Sequence, residues 1–359
     1  MTPANEIELA EAIASATGPL RIVGGDTRRI GHAVEGTTLS TAGMKGITLY
    51  EPGALTMVAK AGTPLAEIEA ALAAENQRLP FEPTDMRGIY GAKGQSTIGG
   101  VVATNNSGPR RIQAGGCRDS LIGVRFVDGQ GNVLKNGGRV MKNVTGYDLV
   151  KLMSGSYGTL GVLTEVSFKV LPAPEASATV VVEELSDPEA VAALSAALGS
   201  PYDVNAAAHV PATGQTAVRV EGLEGSVAYR AGELVKKLGG AVADFDWTSV
   251  RDLKDFASRE EDIWRFSVKP SDGPKLGSAL REAGAVDVMY DWGGGLVWAL
   301  TPKGSDMRPA MGLIGGNATL IRGSGAVVFH PEPAAIQFLN EGLRMKFDPR
   351  NILNTGRMG

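Results

Sequence analysis

Three glycine-dense stretches stand out in the first 165 residues: VGGDTRRIG from Val23, GQSTIGGVVATNNSG from Gly94 and GSYGTLGVL from Gly155. Glycine has no Cβ, so several N–H groups can converge on one point, and such a concavity attracts a phosphate or an oxyanion. The chain holds 48 glycines in 359 residues, about twice the usual ~7%. Each stretch alone reads as a tight turn between strands. Three in one half of the chain, each joined to an apolar strand, point to an extended phosphate-bearing ligand. The G-x-G-x-x-G and G-x-x-x-x-G-K-[ST] fingerprints are absent, which disfavours the common nucleotide folds. The G-x-S-x-G elbow and H-E-x-x-H are absent too. What remains is a dinucleotide held along several separate loops by backbone amides.

Residues able to do acid-base or metal chemistry are few. Cys117 is the single cysteine, which excludes an internal disulfide and a thiolate cluster. With only His32, His209 and His330, a histidine-built metal site is not expected. Arg265 in IWRFSV and Arg322 in TLIRGSG could each clamp a substrate carboxylate with a planar fork, set against the alternative of a surface ion pair. His330 in VVFHPEP could act as a base, or only cap a helix or fill a corner. Trp292 and Trp298 read as core or interface residues, set against the alternative of stacking on a bound ring, and Cys117 as a small packed one.

The elements that must position these groups follow from periodicity. Residues 6–16 carry apolar positions at helical spacing, and GPLRIVGG follows as a short strand. TPLAEIEAALAAENQ predicts a helix with Thr63 as N-cap and Pro64 at its first position. SLIGVRFVDGQGNVL predicts a hairpin, GYDLVKLMSGS a short helix, and TLGVLTEVSFKVLP a strand. The mixture within GQSTIGGVVATNNSGPRR, from Gly94, favours neither helix nor strand. Beyond Pro172, strands are expected at 178–184, 204–210, 215–221, 285–290 and 295–301, and helices at 187–198, 225–238 and 248–260. A tail helix, PAAIQFLNEGLRMKF, precedes the turn-rich DPRNILNTGRMG. No fixed-period repeat or low-complexity tract appears.

Charged residues make up 21% and the net charge is −4, so no nucleic-acid footprint is expected. No apolar run approaches the roughly 20 residues of a membrane span. MTPANEIELA lacks a basic start and an apolar core, so a secretion signal is not expected and the cytoplasm is the expected location.

The order VGGDT, TIGGVVATNNSGP, VDGQGNVL, KNVTGYDLVKLMSGSYGTLGVLTEVSFKVLP and a terminal FDPRNILNTGRM resembles the FAD-binding family of vanillyl-alcohol oxidase and p-cresol methylhydroxylase. Within it, VMKNVTGYDLVKLMSGSYGTLGVLTE, IWRFSVKP, DWGGGLVW and NTGRM are most similar to the FAD-binding E subunits of bacterial glycolate oxidases. The resemblance implies an α+β fold: a PCMH-type FAD-binding domain of two α+β subdomains with a smaller α+β cap. The implied boundaries are 1–172, 173–330 and a returning segment 331–359. By that likeness Gly24, Gly25, Asp26 and Thr27, flanked by Val23 and Arg28, face the pyrophosphate. Thr97, Ile98, Gly99, Gly100 and Ala103, followed by Thr104, line the flavin side. Gly161 and Val162 contact the adenine or the ring edge through backbone, and Asn354 either contacts the cofactor or only forms a turn before Gly356. Relatives that attach FAD covalently use a histidine where this chain has Asp26, or a cysteine ahead of TIGG where GIYGAKGQS has none, so non-covalent FAD is implied.

The function so implied is the FAD subunit of a glycolate (2-hydroxy acid) oxidoreductase. Its implied partners are a flavoprotein D subunit and an iron–sulfur F subunit, with peripheral attachment to the inner membrane through the complex. Three alternatives stay open: a non-catalytic or electron-relay flavoprotein, a self-sufficient 2-hydroxy acid dehydrogenase, and a phosphate-binding regulatory module without flavin. No metal and no nucleic acid are expected.

Overall fold

The computed structural model describes residues 1–138 and 146–359, so the VMKNVT part of the long motif lies outside the described residues. The described chain divides into two units. Met1–Asn106, Gly115–Ala173 and Pro331–Gly359 form the first, and Ser107–Ala114 with Pro174–His330 form the second. The expected first domain ran unbroken to 172, but Ser107–Ala114 groups with the second unit for clear physical reasons. Ile112 packs against that unit's apolar core, the Trp292 indole donates to the Gly108 carbonyl at 3.2 Å, and Arg110 pairs with Glu221 at 3.3 Å.

The first unit opens with helix α1 (Glu6–Ala14), which buries Leu9 and Ile13. The Asn5 side chain caps it by accepting the Ile7 and Glu8 N–H groups. Strand β1 (Leu20–Val23) pairs in parallel with β2 (Thr37–Ser40). Strands β3 (Ile47–Glu51) and β4 (Thr56–Lys60) lead to helix α2 (Leu65–Ala74). Pro64, not Thr63, sits at the N-cap of α2. The Thr63 hydroxyl instead donates to the Lys60 carbonyl at 2.6 Å.

The largest departure from expectation is at TIGGVVAT. Residues Ile98–Thr104 form helix α3, capped by Thr97, whose hydroxyl accepts the Gly100 N–H. Ile98, Val101 and Val102 are fully buried at i, i+3 and i+4 spacing, so a helical stripe exists despite the glycines. Gly99 answers to packing: a Cβ there would stand 2.8 Å from both the Cβ and the carbonyl oxygen of Ala61. The helix ends at Asn105, whose backbone is left-handed.

Strands β5 (Leu121–Val127) and β6 (Val133–Gly137) make the expected hairpin, with the Asp128 carboxylate accepting the Gln130 and Asn132 N–H groups. Helix α4 (Leu149–Met153) and strand β7 (Val162–Lys169) follow. The sheet order is β3-β4-β7-β5-β6, antiparallel throughout. Its core joins α2 and α3 to Phe126, Val166 and Phe168.

The second unit is one eight-stranded sheet. Its strands are β8 (Ala176–Glu183), β9 (Ala206–Val210), β10 (Gln215–Gly222), β11 (Ala241–Val242), β12 (Asp262–Val268), β13 (Asp287–Asp291), β14 (Leu296–Thr301) and β15 (Gly316–Arg322). The order is β11-β8-β10-β9-β13-β14-β12-β15. Read from either edge the two halves have one topology, with helix α5 (Asp187–Leu198) after β8 and α7 (Gly273–Glu282) after β12. A duplication that no sequence period betrays is thus visible in strand order. The halves meet where His209 of β9 pairs with Tyr290 of β13. There Asp187 accepts from the Tyr290 hydroxyl and from Arg281 at 2.5 Å, and the His209 Nε2 lies 3.4 Å away.

Helix α6 (Glu224–Leu238) lies between β10 and β11. Strand β12 had no alternating signal because Ile263, Trp264 and Phe266 are all fully buried. Helix α7 had a weak one because Gly277 is mid-helix, where a Cβ would meet the Tyr290 hydroxyl oxygen at 1.7 Å. The expected 248–260 helix is two short ones, Trp247–Asp252 and Lys254–Ala257, broken at left-handed Leu253.

The chain returns to the first unit through helix α8 (Ala334–Phe347), where Leu343 and Phe347 reach the core. The tail then runs beside β1, with Leu353 bridged to Leu20. Among the described residues no helix is long and apolar enough to cross a membrane.

Candidate functional site

One cavity of about 740 Å³, counting its open mouth, lies within the first unit. The first glycine loop contributes Val23, Gly24, Gly25, Asp26, Thr27 and Arg28. Helix α3 and its cap contribute Thr97, Gly99, Gly100, Ala103 and Thr104. The third loop and the tail contribute Gly161, Val162 and Asn354. Of the residues expected around a cofactor, only Ile98 is elsewhere: it is fully buried and its N–H donates to the Thr63 carbonyl at 3.0 Å. The wall also includes Thr41, Tyr157 and Arg357, which the motifs did not single out.

The three loops do not offer their amides equally. In α3 the first N–H groups are already used: Gly99 donates to the Ala61 carbonyl at 2.8 Å and Gly100 to the Thr97 hydroxyl at 3.3 Å. This corrects the expectation that bare backbone in the TIGG segment does the holding, because those donors close the helix start onto its own neighbours. In the first loop the opposite holds. Among the described residues the N–H groups of Gly24, Gly25, Asp26 and Thr27 meet no protein acceptor. Four successive open amides form the kind of nest that binds an anion.

The tail fixes the relative position of the first and third loops. Asn354, 2% exposed, accepts the Ile22 N–H at 2.8 Å and donates to the Tyr157 carbonyl at 2.7 Å. Its own N–H reaches the Leu20 carbonyl at 3.0 Å. Asn354 is therefore a strut across the cavity wall. Asp26, Tyr157 and Asn354 all have positive φ, at 53°, 54° and 43°. Of these only Tyr157 is a type that rarely adopts this backbone, and such strain concentrates at ligand clamps.

The charge here is mainly positive. The Arg28 guanidinium donates to the Thr84 carbonyl at 2.6 Å and to the Ser96 hydroxyl at 3.1 Å. Arg21 and Arg29 pair with Asp26 at 2.7 and 3.1 Å. Burial and the neighbouring Arg21 hold the Arg357 guanidinium below its ordinary pKa. Open amides beside guanidinium groups are the donor set that a diphosphate requires, so the residues present fit a dinucleotide. Arg357 escaped the sequence reading because one arginine in a turn-rich tail has no spacing to mark it.

The catalytic candidates fare differently. Arg322 is spent on structure, donating to the carbonyls of Phe256, Ala257, Arg259 and Glu261, with distances of 2.6 to 3.3 Å. It closes the end of a short helix and the turn behind it, which rules against a substrate clamp. Arg265 on β12 lies 5.3 Å from the centre of the Trp292 ring, which Arg111 also approaches at 4.8 Å. His330, half-buried, ends the second unit. Cys117 is fully buried, and burial pushes its thiol far up, so it is no nucleophile. Among the described residues no group of three His, Cys, Asp or Glu side chains is placed to hold a metal ion.

Comparison with known proteins fits this geometry. Residues 1–137 match the family model of an FAD binding domain, and FAD is the cofactor. The glycolate oxidase subunit GlcE of Escherichia coli is 38% identical over 355 residues, which cover 98% of this chain and 95% of the relative. The glycolate oxidase subunit GlcD of Bacillus subtilis is 33% identical over 159 residues, 44% of this chain and 31% of that one. Among solved structures, an alkyldihydroxyacetonephosphate synthase superposes with a TM-score of 0.71 at 16% identity, covering 99% of this chain and 76% of that one. That likeness shows the fold alone. With identity to GlcE extending through both units, the chain belongs to the GlcE family of glycolate oxidase subunits.

Proposed function

We propose that this chain is the FAD-binding subunit of a glycolate oxidase complex, in which a 2-hydroxy acid is oxidised at its CH–OH carbon. The observation that carries the reading is the cavity of the first unit, where four open amides and guanidinium groups converge. In this reading Val23–Arg28 hold the pyrophosphate, Thr97, Gly99, Gly100, Ala103 and Thr104 wall the ring side, and Gly161 and Val162 border the cofactor. Asn354 holds the first and third loops at the spacing the cofactor needs. When bound, FAD supplies the two-electron acceptor. Asp26 stands where covalent relatives carry histidine, so the cofactor is held without a bond to the chain.

One observation favours a relay role within the complex over self-sufficient turnover. Arg322, a candidate clamp for a substrate carboxylate, is instead occupied by backbone carbonyls. Electrons then leave through partner subunits, a second flavoprotein and an iron–sulfur protein, at a cytoplasmic site that is membrane-peripheral through the complex.

The test is purification of the chain alone and co-expressed with those two subunits. The expected result is a yellow protein that releases FAD on denaturation, with little glycolate-dependent dye reduction alone and robust reduction in the complex. A colourless chain that binds no added FAD would remove the flavin reading, and full turnover by the chain alone would replace the relay with a self-sufficient dehydrogenase.

A further inference from the structure

Arg357 reaches the cavity from the last turn of the chain, its N–H donating to the Asn354 carbonyl at 3.0 Å. Its guanidinium donates to the Arg28 carbonyl at 3.3 Å, and its own carbonyl accepts the His32 N–H at 2.9 Å. Side chain and backbone thus both lie against the loop that carries the open amides of Gly24–Thr27. The nearby carboxylate, Asp26, is already engaged by Arg21 and Arg29. Among the described residues no carboxylate lies within ion-pair distance of Arg357. A guanidinium half removed from water beside another arginine is costly until an anion meets it.

We propose that Arg357 is a binding residue for the diphosphate of FAD, delivered by the C-terminal turn and acting with the amides of Gly24–Thr27. The inference rests on the flavin reading above. It assigns the end of the chain a direct part in holding the cofactor, beyond the strut made by Asn354. An arginine suits this place because its planar fork can meet two phosphate oxygens and stays charged while partly buried.

The experiment uses the full chain freed of flavin, with wild type, Arg357→Gln and Arg357→Lys compared. Affinity is read for FAD, for ADP as a probe of the diphosphate end, and for riboflavin as a probe of the ring end. Arg357→Gln is expected to weaken FAD and ADP by about 10- to 100-fold while leaving riboflavin unchanged. Arg357→Lys is expected to keep most of the affinity, and the salt dependence of ADP binding should fall in the Gln variant. Equal ADP affinity in wild type and the Gln variant overturns the proposal, as does a riboflavin loss as large as the ADP loss. If the Gln variant does not fold, the wild-type salt dependence decides, and ADP binding indifferent to salt overturns it. A wild-type chain that binds neither FAD nor ADP removes the flavin reading itself, an outcome distinct from a failure of Arg357 alone.

Discussion

Replacing Asn354 by Ala cuts the strut between two loops without touching either. The side chain makes two hydrogen bonds, to the Ile22 N–H at 2.8 Å and the Tyr157 carbonyl at 2.7 Å, and the residue is 2% exposed. A neutral bond contributes about 1 kcal/mol net, and more where a buried partner is left without a replacement. Alanine also tolerates the left-handed backbone at φ 43° less well than asparagine. Together the loss is about 2–3 kcal/mol, which corresponds to roughly 30- to 150-fold in a local opening equilibrium. Tryptophan emission cannot report it, because Trp247, Trp264, Trp292 and Trp298 all lie in the second unit. Hydrogen exchange is the suitable assay, read on peptides spanning 20–24 and 155–159 of the flavin-free chain. Protection there should fall by that factor, FAD affinity should fall with it, and the tryptophan-detected transition should stay in place. Unchanged exchange in both peptides would refute the strut.

Further outcomes follow from the same geometry. Gly99→Ala should lower the stability of the flavin-free first unit by about 1–3 kcal/mol, because its Cβ would stand 2.8 Å from Ala61. Gly100→Ala, whose Cβ would meet nothing closer than 3.3 Å, should leave apoprotein unfolding unchanged or raised and weaken FAD binding, since Gly100 lines the cavity. Arg322→Ala should lower the tryptophan-detected urea midpoint, with a loss of about 2–4 kcal/mol from the abandoned carbonyls; a variant as stable as wild type would return Arg322 to the list of substrate ligands. For Asp187, burial works against the charge, but the neighbouring His209 and hydrogen bonds from Arg281 and Tyr290 outweigh it and hold the carboxyl well below the carboxylate range. Its folded pKa is depressed, so its contribution is complete above the unfolded value of about 3.9 and is lost as pH falls below that toward the folded value. Acid titration of second-unit stability should therefore steepen below about pH 4, and Asp187→Asn should flatten it; a variant with the wild-type acid profile would contradict the assignment.

Periodicity and turn chemistry were enough for elements whose signals are local. The stripe of residues 6–16 yields α1, DGQGN yields the β5–β6 turn, and the tail helix begins and ends close to where its apolar residues do. The glycine-dense loops likewise hold most of the residues that line the cavity, because glycine-rich sequence marks close backbone approach whatever its geometry. The chain alone could not show which amides are free. Gly99 and Gly24 look alike in sequence, yet the N–H of Gly99 is consumed by Ala61, 38 residues earlier, while that of Gly24 stays open. Arg322 shows the same limit, since its carbonyl partners lie in a turn about 60 residues upstream. The eight-stranded sheet hid its duplication because strand order depends on pairings between distant segments, and so did the transfer of Ser107–Ala114 to the second unit. Hydrogen-bond satisfaction and close approach are properties of pairs far apart along the chain, so they become determinate only when the fold brings those pairs together.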